Sequence, residues 1–100
     1  MPLKHFAMII KGSGYNPSVH RAEINSPLFS TTIICVSTFE EAIQTAQELI
    51  NQGIQLIELC GGFSPSQATE IQTAINSAIP IGVVKYSEEE QINLAKLFAP

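Results

Sequence analysis

The sequence predicts one α/β domain over residues 1–100: a four-stranded, mainly parallel sheet with helices on both faces. Three observations carry this. Strand-like and helix-like segments alternate along the whole chain, and no linker or repeat breaks the pattern. The strand-like runs are apolar on both faces, as strands covered from both sides are. The segments between them carry helix start signals. Alternation of this kind implies right-handed crossovers. A truncated flavodoxin-like layer in the order 2-1-3-4 accounts for it, and half of a βα barrel gives the same linear pattern.

In chain order, Phe6 to Lys11 (FAMIIK) is an apolar run halted by Gly12-Ser13-Gly14, which reads as a strand entering a flexible loop. Pro17 to Ile24 reads as a short helix closed by Asn25-Ser26-Pro27. Thr31 to Ser37 is rich in β-branched residues and reads as the second strand. Ser37 or Thr38 caps a helix to about Gln52, with Glu40 and Glu41 in its first turn and Gly53 as terminator. Its inner stripe is Phe39, Ala42, Ile43, Ala46, Leu49 and Ile50. Ile54 to Cys60 is the third strand, followed by Gly61-Gly62. Ser64, with Pro65 next and Gln67 three residues on, opens a second long helix. Ile81 to Tyr86 is the fourth strand, and Ser87 with Glu90 repeats the capping box before a last helix carrying Ile92, Ala95 and Phe98.

Composition excludes several functions. The 100 residues hold nine acidic side chains, all glutamate, against five Lys and Arg, for a formal net charge of −4. Phosphate-backbone binding draws on clustered cations, whereas Lys4, Lys11, Arg21, Lys85 and Lys96 are scattered, so nucleic acid is not an expected partner. A spanning helix needs roughly 20 apolar residues and no run approaches that, so no membrane partner is expected either. The absence of aspartate removes aspartyl-phosphate chemistry and Asp-rich metal loops. Cys35 and Cys60 lack metal or redox spacing, so free thiols in a cytoplasmic protein are expected. No metal site and no cofactor is expected, since two His and two Cys at these spacings form no zinc pattern.

Ligands of open α/β sheets bind outside the carboxyl ends of the strands. At that edge the chain places Lys11 to Tyr15, Ser37-Thr38, Cys60-Gly61-Gly62-Phe63-Ser64 and Lys85-Tyr86-Ser87. Gly61 and Gly62 let the backbone approach an anion, and the helix after Ser64 offers free N–H groups and a positive dipole end. A tight turn that needs glycine for geometry alone explains the same residues. Phe63, Ser64, Tyr86 and Arg21 complete the candidate ligand contacts.

The candidate catalytic residues are Glu58, Cys60, Lys85 and His20. Glu58 is the only glutamate on an expected strand, in line with Ile54 and Leu56, where a carboxylate loses hydration and needs a partner. Lys85 lies near the end of the neighbouring strand, so either a Glu58–Lys85 ion pair finishes the sheet edge, or Glu58 is a general base or acid beside an electrophilic lysine. Cys60 precedes a helix N-terminus, which favours a thiolate, although a small buried thiol fits the position equally. His20 with Arg21 either closes over the site or lies on a solvated helix face.

The opening Met1-Pro2-Leu3-Lys4, Pro17 to Arg21, the block Glu58-Leu59-Cys60-Gly61-Gly62-Phe63 and the strand Pro80 to Tyr86 together resemble a family of short bacterial proteins with a domain of unknown function. The resemblance spans nearly the whole chain and rests mainly on the ELCGGF block. It implies a bacterial single-domain protein and brings no catalytic residues with it.

Two functional readings follow. One is a small-molecule binding protein or small enzyme for an anionic metabolite; the other is an oligomeric structural or regulatory module. A four-stranded sheet has two free edges, and mean hydropathy is +0.19, so a homodimer or higher homo-oligomer is expected under either.

Overall fold

The computed structural model describes residues 2–100; Met1, part of the opening segment noted above, lies outside the described residues. The elements are β1 (His5–Lys11), β2 (Arg21–Asn25), β3 (Ser30–Val36), α1 (Phe39–Asn51), β4 (Leu56–Leu59), α2 (Pro65–Ala74), β5 (Ile81–Val83) and α3 (Glu88–Phe98). They form an α/β structure around a five-stranded sheet in the order β2-β3-β1-β4-β5. All neighbours are parallel except β2, which runs antiparallel to β3.

The sheet therefore departs from the expected four-strand order by an added edge strand. Residues read as a helix within Pro17 to Ile24 are instead a turn followed by β2. Asn16 tightens the turn, accepting from the Val19 and His20 amides and, through its side chain, from Ser18. Beyond it, Ala22 and Ile24 alternate with Arg21, Glu23 and Asn25, which is the period of a strand. Ser26 then closes a hairpin onto β3, its hydroxyl accepting from the amides of Leu28 and Phe29. Glu23 consequently joins Glu58 as a second glutamate on a strand.

Helices on both faces were expected; α1 and α2 share one face. The reason lies in the route of the chain. The crossovers from β3 to β4 and from β4 to β5 travel the same way across the sheet, and right-handed crossovers in one direction place their helices on one face. The opposite face would be covered by a helix in the link from β1 to β3, which runs the other way. That link is spent on β2.

Burial follows the same division. Ala7, Ile9, Ile34, Val36, Ile57 and Leu59 are fully buried against Ala42, Ala46 and Leu49 of α1 and Ile71 of α2. Each such Ile, Leu or Val contributes about 1.5–3 kcal/mol. Their alternates Phe6, Met8, Ile10, Ile33, Cys35 and Leu56 are only half-buried, and Glu58 is exposed. Register aligns these on the uncovered face, in rows such as Ala22, Ile33, Met8, Glu58 and Gly82.

The helix ends follow the start and stop signals closely. Thr38 caps α1, its hydroxyl accepting from the Glu41 amide while the Glu41 carboxylate accepts from the Thr38 amide. Gly53, at φ 85°, takes the left-handed turn that follows. Ser64 and Gln67 form the same reciprocal box on α2, with Pro65 in the first turn. At α3 only half of the box forms: Ser87 accepts from the Glu90 amide, whereas the Glu90 side chain turns to Asn93. The strand expected to Tyr86 stops at Val83, and no residue of α3 is buried.

Candidate functional site

Four loops meet the carboxyl edge of the sheet, following β3, β1, β4 and β5 in that spatial order. At the β3 loop the anion is already supplied by the protein. The Glu41 carboxylate accepts from the amide and hydroxyl of Ser37 and from the amide of Thr38, at 2.8, 3.0 and 3.1 Å. These bonds, the Ser37 amide first, hold the Glu41 carboxyl below the usual glutamate range. Its placement leaves that helix start no vacancy for another anion.

The turn after β4 is built around Cys60. Its sulfur accepts from the Lys11 amide at 3.3 Å and the Gly62 amide at 3.4 Å, tying the β4 turn to the end of β1. Close packing explains the glycines here. A Cβ on Gly62 would lie 3.4 Å from both Cys60 Sγ and the Lys11 carbonyl oxygen, and one on Gly61 would lie 3.3 Å from the Tyr86 ring. Tyr86 thus lies over the Gly61 backbone. Phe63 points the other way, into the core, and is buried. Its side chain packs the turn rather than facing the edge.

Beside this turn lies a groove of about 560 Å³, lined by Pro65, Val83, Val84, Lys85, Tyr86 and Gln91. Gln91 donates to the Tyr86 carbonyl at 2.9 Å, which fixes the chain between β5 and α3. The groove has apolar walls, one cation in Lys85 and the first turn of α2 at Pro65. Sequence reading missed Pro65, Val83, Val84 and Gln91 as lining residues, because which strand and helix ends meet here is set by sheet order.

The four candidate catalytic residues do not gather at one point. His20 sits at the β2 end of the sheet, its main-chain oxygen accepting from Cys35, while Lys85 follows β5 at the other end. Four strand spacings separate those lines, about 19 Å. The His20 ring packs beside Tyr15, with centroids 5.4 Å apart, and its Nδ1 accepts from the Asn16 amide. Arg21 reaches Glu48 of α1 at 3.9 Å rather than the Gly61 turn.

Glu58 and Lys85 are not paired. Register sets Glu58 opposite Gly82 on the open face, whereas Ile57 opposes Ile81 and Leu59 opposes Val83 on the helix face. Lys85 lies past Val83, the last paired residue of β5, where it lines the groove with Pro65 and Tyr86. Among the described residues the one ion pair is Arg21–Glu48, and no three His, Cys or Glu side chains converge as metal ligands would. Glu58 keeps its hydration on the open face, so the desolvated carboxylate expected from its sequence neighbours is not formed. Cys35 and Cys60 are free thiols.

A family model matches residues 4–99, almost the entire described chain. The chain belongs to the DUF6506 family. That family is one of unknown function, so membership brings the DUF6506 chain no substrate or catalytic residue. Comparison with curated proteins and with solved structures finds no match. The functional reading of this DUF6506 chain therefore rests on the geometry of its sheet edge. Among the described residues no helix is long and apolar enough to cross a membrane.

Proposed function

We propose that the protein binds a small anionic molecule with an apolar body in the groove between β5, the start of α2 and the start of α3. The observation that carries this is the groove itself, at the carboxyl end of the parallel strands, where Lys85 and Tyr86 accompany apolar walls from Pro65, Val83 and Val84. Pockets that bind small molecules combine such walls with a few placed polar groups. Lys85 supplies the counter-charge, and the Tyr86 hydroxyl and Gln91 supply hydrogen bonds. Glu58, His20 and Arg21 take no part in this site, and the reading is one of binding rather than catalysis. We place the protein in the bacterial cytoplasm, a reading that its two free thiols suit.

Thermal-shift screening against carboxylated and phosphorylated metabolites tests this directly, because a ligand at 100 times its dissociation constant stabilises by about 2.7 kcal/mol. Lys85→Gln should abolish the shift given by any hit and Glu58→Gln should leave it unchanged. A hit whose shift survives both Lys85→Gln and Tyr86→Ala would refute the groove as the site.

A further inference from the structure

Among the described residues two apolar surfaces have no partner, and they do not cover each other. One is the open face of the sheet, formed by Phe6, Met8, Ile10, Ile33 and Leu56 and extended at the β2 edge by Ile24, which is 63% exposed. The other is α3, where Ile92, Ala95 and Phe98 recur at helical spacing and Phe98 is 75% exposed.

The total surface puts a magnitude on what is uncovered. The chain exposes 6556 Å². A compact monomer of 10.8 kDa is expected to expose about 5,500 Å². The excess, about 1,000 Å², is close to the roughly 800 Å² per partner that a stable dimer buries. Shape agrees: the radius of gyration is 14.3 Å, against about 13 Å for a compact chain of this length.

We infer that the occupant is a second copy of this chain, with the α3 helices exchanged so that each lies on the partner's open sheet face. Both surfaces belong to one sequence, which is the condition for a closed two-fold interface. The chain's own α3 leaves the face open: it follows β5 after a short link, and none of its residues is buried. Charge fits as well. Glu58 is the one charged strand residue on the open face, and Lys96 borders the apolar stripe of α3, four residues after Ile92.

Light scattering coupled to size exclusion, with sedimentation equilibrium at micromolar concentration, tests the inference on the full chain. The expected result is a mass twice 10.8 kDa. Ile33→Glu on the sheet and Phe98→Glu on the helix should each weaken association by about 30-fold or more, as loss of an interface hot spot does. Phe98 is so exposed that its substitution leaves the monomer folded, as circular dichroism will show. A wild-type monomer, whether α3 folds back or the face awaits another protein, overturns the proposal. So does a dimer that Phe98→Glu leaves intact.

Discussion

The aromatic ring of Tyr86 lies directly over Gly61, so that a Cβ added at Gly61 would come within 3.3 Å of its Cε2 and hydroxyl oxygen. The contact is tighter than ordinary packing, and one of its members is a half-exposed side chain that is able to move. Gly61 has no positive φ, so alanine fits its backbone. Gly61→Ala is therefore expected to displace Tyr86 while costing less than about 1 kcal/mol, the range of tolerated substitutions away from the core. Ligand titration and urea unfolding of the same variant check this: affinity should fall and stability should hold. Tyr86→Ala combined with Gly61→Ala should add nothing to the loss of affinity caused by Tyr86→Ala.

Stability in acid should depend on Glu41. Its folded pKa is depressed by bonds from Ser37, amide first, and from Thr38. Glutamate in an unfolded chain titrates near 4.3, to within about a unit. The stabilisation is thus complete above that value and is lost as pH falls through the lower folded value. Urea midpoints measured from neutral pH down into that range should fall less steeply in Glu41→Gln than in wild type. Thr38→Ala, which removes the other half of the box, should cost about 1 kcal/mol at neutral pH.

The ends of α1 and α2 should respond to substitution with opposite signs. Gly53 follows α1 with φ 85°, and Gly53→Ala forces a side chain into a left-handed conformation that costs about 1–2 kcal/mol. After α2, the non-glycine residues Asn76 and Ser77 hold φ 54° and 53°. Ser77→Gly removes that strain but loosens the unfolded chain by about 0.5–1 kcal/mol, so a net gain of up to about 1 kcal/mol is expected. Thermal melts of the two variants should move in opposite directions.

Glu58 and Lys85 should behave as independent residues. Lys85 lies beyond the β4–β5 register and forms no ion pair with Glu58 among the described residues, so a double-mutant cycle with Glu58→Gln and Lys85→Gln should give a coupling energy within about 0.5 kcal/mol of zero. A coupling well above that would mean the two meet. On the covered face, by contrast, Leu49→Ala should cost about 2–5 kcal/mol, because Leu49 is fully buried between α1 and the sheet.

Local chemistry wrote much of this structure into the sequence. Thr38 with Glu41, Ser64 with Pro65 and Gln67, and Gly53 set the helix ends through contacts three or four residues long, so they were readable without the fold. The parallel strands were readable as apolar runs, and membership of the DUF6506 family is itself a property of the sequence. The short run at Arg21 to Asn25 was not, since its few apolar residues suit a helix turn as well as a strand, and pairing with β3 decides between them. That one decision had the largest consequence. By making the β1–β3 link a strand, it put both packed helices on one face and left the other bare. Glu58 shows the same limit on a single residue. Its sequence neighbours promised burial, but which face of a strand is covered depends on the direction of crossovers between distant elements. The sequence by itself determined the helix caps, the parallel strands and the glycine turn after Cys60. Only the tertiary structure decided which face those strands present to water, because register and crossover direction are relations between segments far apart in the chain.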